Sequence, residues 1–148
     1  MAEQDLFNDL IATYRDLNKR VRSLPEDRLK LASGQGKSVR DVISQLRDSE
    51  MHFSQSLKDA ASGLPMTEAY AYGEAPVIGT ERETDTTAII LSQFGTARES
   101  TLALLRSLTP EDWDRAIDGG PSIRSRVSER VGRDKRTMEE IVGQLGSP

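Results

Sequence analysis

Apolar positions along the chain recur at three- to four-residue spacing in four long stretches, which predicts an all-α fold; no strand is predicted. In the first stretch, residues 2–23, Leu6, Leu10, Tyr14, Leu17 and Val21 form a stripe that Ile11 widens, uninterrupted by Gly or Pro before Pro25. The second, Ser38 to about Ala61, carries Val39, Val42, Ile43, Leu46, Phe53 and Leu57 on one face. At about 100° per residue, Glu50 falls inside that face, between Leu46 and Phe53. Gln45, Ser49, His52 and Ser56 line one flank of it. A carboxylate within an apolar stripe is costly unless paired or hydrogen-bonded. The simplest partner is an arginine from another helix, with Arg98, Arg126 and Arg130 the candidates. The third stretch, from Thr84 or Asp85 to Leu108, turns inward Ile90, Leu91, Phe94, Ala97, Thr101, Leu105 and Leu108. Gly95 within it implies close packing, since glycine otherwise weakens a helix interior. The fourth, Ser122 to about Leu145, uses Ile123, Val127, Val131, Met138, Ile141, Val142 and Leu145, with Asp134 near mid-stripe.

Punctuation between the stretches follows one plan used twice. Short helical turns are expected at Leu24–Leu29 and Thr109–Trp113, each with an early proline, where a missing N–H costs little. Glycine loops follow at residues 33–37 and 118–121, and Ser38 and Ser122 then serve as N-caps, Asp41 completing a capping-box-like pair with Ser38. The two halves align at an offset of 84 residues: Leu24 on Leu108, Leu29 on Trp113, Gly36 on Gly120, Ser38 on Ser122 and Arg40 on Arg124. Trp113 is thus expected to plug a bundle end. Two such hairpins bury their stripes against each other as a four-helix bundle forming one domain over residues 1–148. The irregular connection 62–83 is long enough to cross a bundle end or form a lid, with Tyr70 and Tyr72 able to fold over the core and a brief turn near residues 67–70.

Bulk properties narrow the function. A net charge of −4 argues against a general nucleic-acid binder, although Arg115, Arg124, Arg126, Arg130, Arg133, Lys135 and Arg136 make one region basic. Glu129 and Asp134 interleave with these cations and weaken a phosphate-backbone reading. No apolar run approaches the roughly 20 residues that span a bilayer, and the acidic start Met-Ala-Glu-Gln-Asp is unlike a signal peptide. The chain has no cysteine, hence neither disulfide nor protein thiolate, which fits a cytoplasmic location. One histidine and no GxSxG leave little basis for a serine hydrolase. The Gly36-Lys37-Ser38 run is not a phosphate loop, because residue 31, where its first glycine would stand, is leucine.

Ser38-Val39-Arg40-Asp41-Val42-Ile43-Ser44-Gln45-Leu46-Arg47-Asp48-Ser49-Glu50 resembles the second helix of the DinB-like (damage-inducible) superfamily. Leu105-Arg106-Ser107-Leu108-Thr109-Pro110-Glu111-Asp112-Trp113-Asp114-Arg115 resembles that family's link between its third and fourth helices. The resemblance implies an up-down-down-up four-helix bundle with a long crossover between helices 2 and 3, often as a homodimer. Many members hold a divalent metal with three histidines, and some are transferases or isomerases dependent on mycothiol, bacillithiol or glutathione. The ligand positions fall here on Gln45, Arg133 and Thr137, with the family's aspartate kept as Asp134.

Amide, guanidinium and hydroxyl groups are poor substitutes for imidazole at a nickel or zinc centre. The expectation is therefore a DinB-like domain without the three-histidine site, non-catalytic, binding a small polar or anionic ligand or a protein partner. Its candidate polar pocket is Gln45, Glu50, Arg130, Arg133, Asp134 and Thr137, able to grip an anion through a bidentate arginine. One alternative is a thiol-dependent S-transferase or isomerase, either metal-free or using a rearranged site at Glu50, His52 and Asp134. Another is a structural protein whose helix faces serve only self-association. No cofactor is expected; the expected partners are a second copy of the chain and a small-molecule ligand, with no nucleic acid and no membrane. His52 is expected to be a partly exposed helix residue.

Overall fold

A computed structural model describes residues 3–32, 36–61, 85–116 and 120–146. Among the described residues it contains four long helices, α1 (Glu3–Val21), α3 (Val39–Ala61), α4 (Thr87–Ser107) and α6 (Ile123–Leu145), and two short ones, α2 (Glu26–Leu29) and α5 (Pro110–Asp114). The connection 62–84, with the turn expected near residues 67–70 and the placement of Tyr70 and Tyr72, lies outside the described residues.

The caps form where the sequence places them. The Ser38 hydroxyl accepts from the Asp41 N–H at 3.0 Å while the Asp41 carboxylate accepts from the Ser38 N–H at 3.0 Å. Ser122 accepts from Ser125 N–H at 3.1 Å, and Thr109 with Asp112 closes a second capping box ahead of α5. Helix α4 starts later than the apolar pattern suggests, because Thr86 is its cap. A remote residue reinforces that start: Glu26 of α2 accepts from the Thr87 N–H at 3.0 Å and from its hydroxyl at 2.9 Å. Arg40 of α3 joins Glu26 at 3.1 Å and also donates to the Asp85 carbonyl.

Residue contacts set the order of packing. Arg47 donates to Gln93 and Ser54 to Ser100, so α3 and α4 lie side by side and run the same way. Arg124 meets Glu3 and Thr13 meets Asp134, so α1 and α6 also run the same way. The two pairs are opposed: Arg98 of α4 bonds Leu10 of α1, while Arg22, just past the end of α1, reaches Ser92 of α4.

The apolar core is divided in two. One half gathers Leu6, Leu10, Phe53, Leu57, Leu102 and Leu105 with Trp113, Ile123 and Val127. The other gathers Leu17, Val21, Leu29, Val39, Ile43, Ile90, Phe94 and Ile141. Trp113 and Leu29, matched in the repeat, are both buried, one in each half. Gly95 has the close contact its position implies: a Cβ there would fall 2.5 Å from Cζ of Tyr14. Three edges of the stripes need correction. Ile11 and Val142 are exposed at 40% and 39%, and Leu108 is only partly buried. Thr13 takes the inward place beside Leu10 and Leu17, so the α1 stripe is narrower than drawn.

Candidate functional site

Between the two apolar halves, each long helix contributes polar side chains at the same level. Helix α1 brings Thr13, α3 brings Glu50, α4 brings Arg98 and Thr101, and α6 brings Arg130 and Asp134, all buried. Glu50 accepts from Arg98 through both carboxylate oxygens, Nε at 2.9 Å and Nη2 at 3.0 Å, and from the Thr101 hydroxyl at 2.7 Å. Arg98 Nη2 also lies 2.9 Å from Asp134, and its Nη1 donates to the Leu10 carbonyl at 2.7 Å. Arg130 stands 3.7 Å from Glu50 and donates to the Ser49 carbonyl at 2.9 Å. Both guanidinium groups rest on aromatic rings, Arg98 at 5.0 Å from the Phe94 centroid and Arg130 at 4.8 Å from Phe53.

The two carboxylates respond oppositely to this layer. Burial works against the charge on Glu50, but Arg98, Arg130 and the bonds from Arg98 and Thr101 together hold its carboxyl below the usual range. Burial pushes the Asp134 carboxyl up, and Arg98 reverses only part of that, with the charge on Glu50 adding to the rise. For Arg98, burial disfavours the cation but Glu50 and Asp134 outweigh it. For Arg130, burial dominates and lowers the pKa. A second buried ion pair, Arg47–Asp48 at 2.8 Å, lies at the α3–α4 seam.

Beside this layer, on the outer side of α3 and α6, is a cleft of about 160 Å³. Gln45 and Ser49 of α3 face Arg130, Arg133, Thr137 and Glu140 of α6 across it. The Ser49 hydroxyl is buried and has no hydrogen-bond partner among the described residues. Gln45 of α3 and the Arg133 and Thr137 pair of α6, distant from it in sequence, therefore converge on one cleft.

The six residues of the expected polar pocket do not share one cavity. Gln45, Arg130, Arg133 and Thr137 line the cleft, whereas Glu50 and Asp134 are closed into the buried layer at 0% and 2% exposure. Both carboxylates are engaged by Arg98, Asp134 through one of its two oxygens. Arg130 touches both environments. No cluster of three His, Cys, Asp or Glu side chains among the described residues is suited to a metal, so the geometry lends no support to grouping Glu50, His52 and Asp134 as a rearranged metal site. Arg98 stands between the two carboxylates, and His52, two residues beyond Glu50, points about 200° round the helix from it. His52 is half-buried.

Thr13 is the member of the layer least visible in sequence, while Arg98 is one of the three arginines the sequence offers to Glu50. The available signal was a polar residue interrupting each apolar stripe at mid-length: Thr13 between Leu10 and Leu17, Arg98 between Phe94 and Leu102, Asp134 between Val131 and Ile141.

The chemistry of the cleft follows from its donors. An amide, two guanidinium groups and hydroxyls offer hydrogen bonds and positive charge to an anion. Glu140 is the one carboxylate among the cleft's lining residues, so the set makes a poor divalent-metal site, which wants several imidazole, thiolate or carboxylate donors and which the arginines would repel. No helix among the described residues is long and apolar enough to cross a membrane. No curated protein and no solved structure gives a significant match to the chain. The family model of the DinB superfamily matches residues 9–142. With that match running through all four long helices, the chain belongs to the DinB superfamily.

Proposed function

We propose that this domain is a DinB-superfamily member that has replaced a metal centre with a small anion-binding cleft between α3 and α6. The observation that carries the reading is the convergence of Gln45, Arg133 and Thr137 on one cleft together with Arg130 and the Ser49 hydroxyl, which has no hydrogen-bond partner among the described residues. A carboxylate or phosphate-sized anion suits the volume of about 160 Å³ and would take donors from Arg133, Gln45, Ser49 and Thr137. Glu140 at the same cleft disfavours a highly charged anion and favours a monoanion or an amide. The domain acts by binding, with no catalytic step assigned.

The test uses the purified protein in two arms. After incubation with nickel or zinc and desalting, metal analysis is expected to show sub-stoichiometric retention. Titration with acetate, succinate and inorganic phosphate is expected to give saturable amide shifts at Gln45 and Thr137. Arg133→Ala should abolish these shifts without unfolding the protein, because Arg133 lies outside the buried layer. Stoichiometric metal, lost in a Glu50→Ala, His52→Ala double variant, would instead favour the thiol-dependent enzyme reading. Absence of both metal and anion binding would remove the proposal and leave self-association as the function to pursue.

A further inference from the structure

On the opposite side of α6, facing α1, is a larger groove of about 650 Å³, and none of the chemistry assigned to the α3–α6 cleft uses it. Ala12, Val131, Met138 and Val142 give it apolar walls. At its floor is Asp134. One oxygen of that carboxylate is fully engaged, Oδ2 taking the Thr13 hydroxyl at 2.9 Å and Arg98 Nη2 at 2.9 Å. The other, Oδ1, is buried and has no hydrogen-bond partner among the described residues. A carboxylate oxygen in that position is an acceptor waiting for a donor. The rim is close to balanced in charge: Lys135 is offset by Asp9 at 3.9 Å and Asp16 by Arg15 at 3.4 Å, with Glu139 and Arg20 beside them.

We propose that the α1–α6 groove is a binding site for a protonated amine carrying an apolar body. The ammonium donates to Asp134 Oδ1 and the hydrocarbon lies along Val131, Met138 and Val142. The volume is in the range of ordinary small-molecule sites. Exposed apolar surface at Val142 is then surface that the ligand covers. A cationic donor at Oδ1 would oppose the upward pull of burial on the Asp134 carboxyl.

The test is an amide-shift titration of the full chain with 2-phenylethylamine and its neutral isostere 2-phenylethanol. The amine is expected to give saturable shifts along Ala12 to Asp16 and Met138 to Gly143, and to bind about tenfold more tightly than the alcohol, as one charge-assisted hydrogen bond allows. Asp134→Asn should erase the preference for the amine. Should that variant fail to fold, Gly143→Phe supplies the test independently. Gly143 lines the groove and a Cβ there meets nothing within 4 Å, so a side chain can be introduced at the groove without a backbone clash. The Gly143→Phe variant is expected to abolish binding. Equal affinity for amine and alcohol, binding unchanged in Gly143→Phe, shifts confined to other surfaces, or no saturable shift would each overturn the proposal. Concentration-dependent broadening of the same amides without ligand would also overturn it, assigning the groove to a second copy of the chain.

Discussion

Glu50→Gln removes one charge from the buried layer while keeping the side chain's shape. In the native fold Glu50 accepts three hydrogen bonds, two from Arg98 and one from Thr101, at 2.7–3.0 Å, with no exposure to solvent. The glutamine keeps one carbonyl acceptor but turns an NH₂ toward a guanidinium group. Arg98 then shares Asp134 with Arg130 as the remaining neighbouring carboxylate of the layer. Breaking one side of a buried pair typically costs about 3–5 kcal/mol, because the surviving charge is left unmatched. For a domain near this size each kcal/mol lowers the melting temperature by about 2–4 °C, so a fall of about 6–20 °C is expected. Urea unfolding followed by circular dichroism measures the same loss as a shift in midpoint at constant slope. The double variant Glu50→Gln, Arg98→Gln should be less destabilised than the sum of its single variants, with a coupling of about 1 kcal/mol or more. A loss below about 1 kcal/mol in Glu50→Gln, or strict additivity in the cycle, would refute the view that this pair holds the layer together.

Three further outcomes are expected. Stability against pH should have two parts: Asp134, its carboxyl held above the ordinary range, is relieved as pH falls through its folded value, and Glu50, held below that range, loses its contribution only as pH falls further. Urea midpoints from pH 7 to pH 3 should therefore rise slightly and then drop; Asp134→Asn should remove the rise and keep the drop, and a flat profile would contradict both assignments. Gly95→Ala sets a methyl against the Tyr14 ring, where the Cβ would be 2.5 Å from Cζ, and should cost about 1–3 kcal/mol in chemical denaturation, with much of it recovered by Tyr14→Leu. Glu26→Gln weakens the start of α4 and the contact to Arg40, and a loss of about 1–2 kcal/mol is expected, with faster hydrogen exchange at Thr87 as the local sign.

Much of this fold is legible in the chain because helical periodicity and capping are local. Ser38 and Ser122 mark helix starts by the same short-range hydrogen bonds seen in the fold, and Leu46, Phe53, Phe94 and Val127 face inward as their spacing requires. The need of Glu50 for an arginine is equally visible, since a charge inside an apolar stripe must be answered. Which arginine answers is a matter of rotation and height between helices, and no local pattern encodes that. Arg98, Arg126 and Arg130 are all buried, and Arg98 takes the bidentate role because Thr101, one turn on, faces the same carboxylate. Asp134 and Glu50 were grouped with the cleft residues for the same reason. One residue along a helix is a turn of about 100°, enough to move Asp134 from the cleft beside Arg133 to the floor of the groove against α1. Ile11 and Val142 show the reverse limit, as apolar residues at the edge of a stripe whose burial depends on how closely α1 and α6 approach.

The grip of Glu26 on Thr87 has a consequence for how the chain tolerates change. The first turn of α4 is positioned by a residue 61 places earlier, on a short turn that α1 and α3 already hold. Its register does not have to be transmitted through the intervening connection. Insertions, deletions or a grafted peptide within residues 62–84 can therefore lengthen or shorten the path without sliding α4 against α3, since loop closure grows only slowly with length.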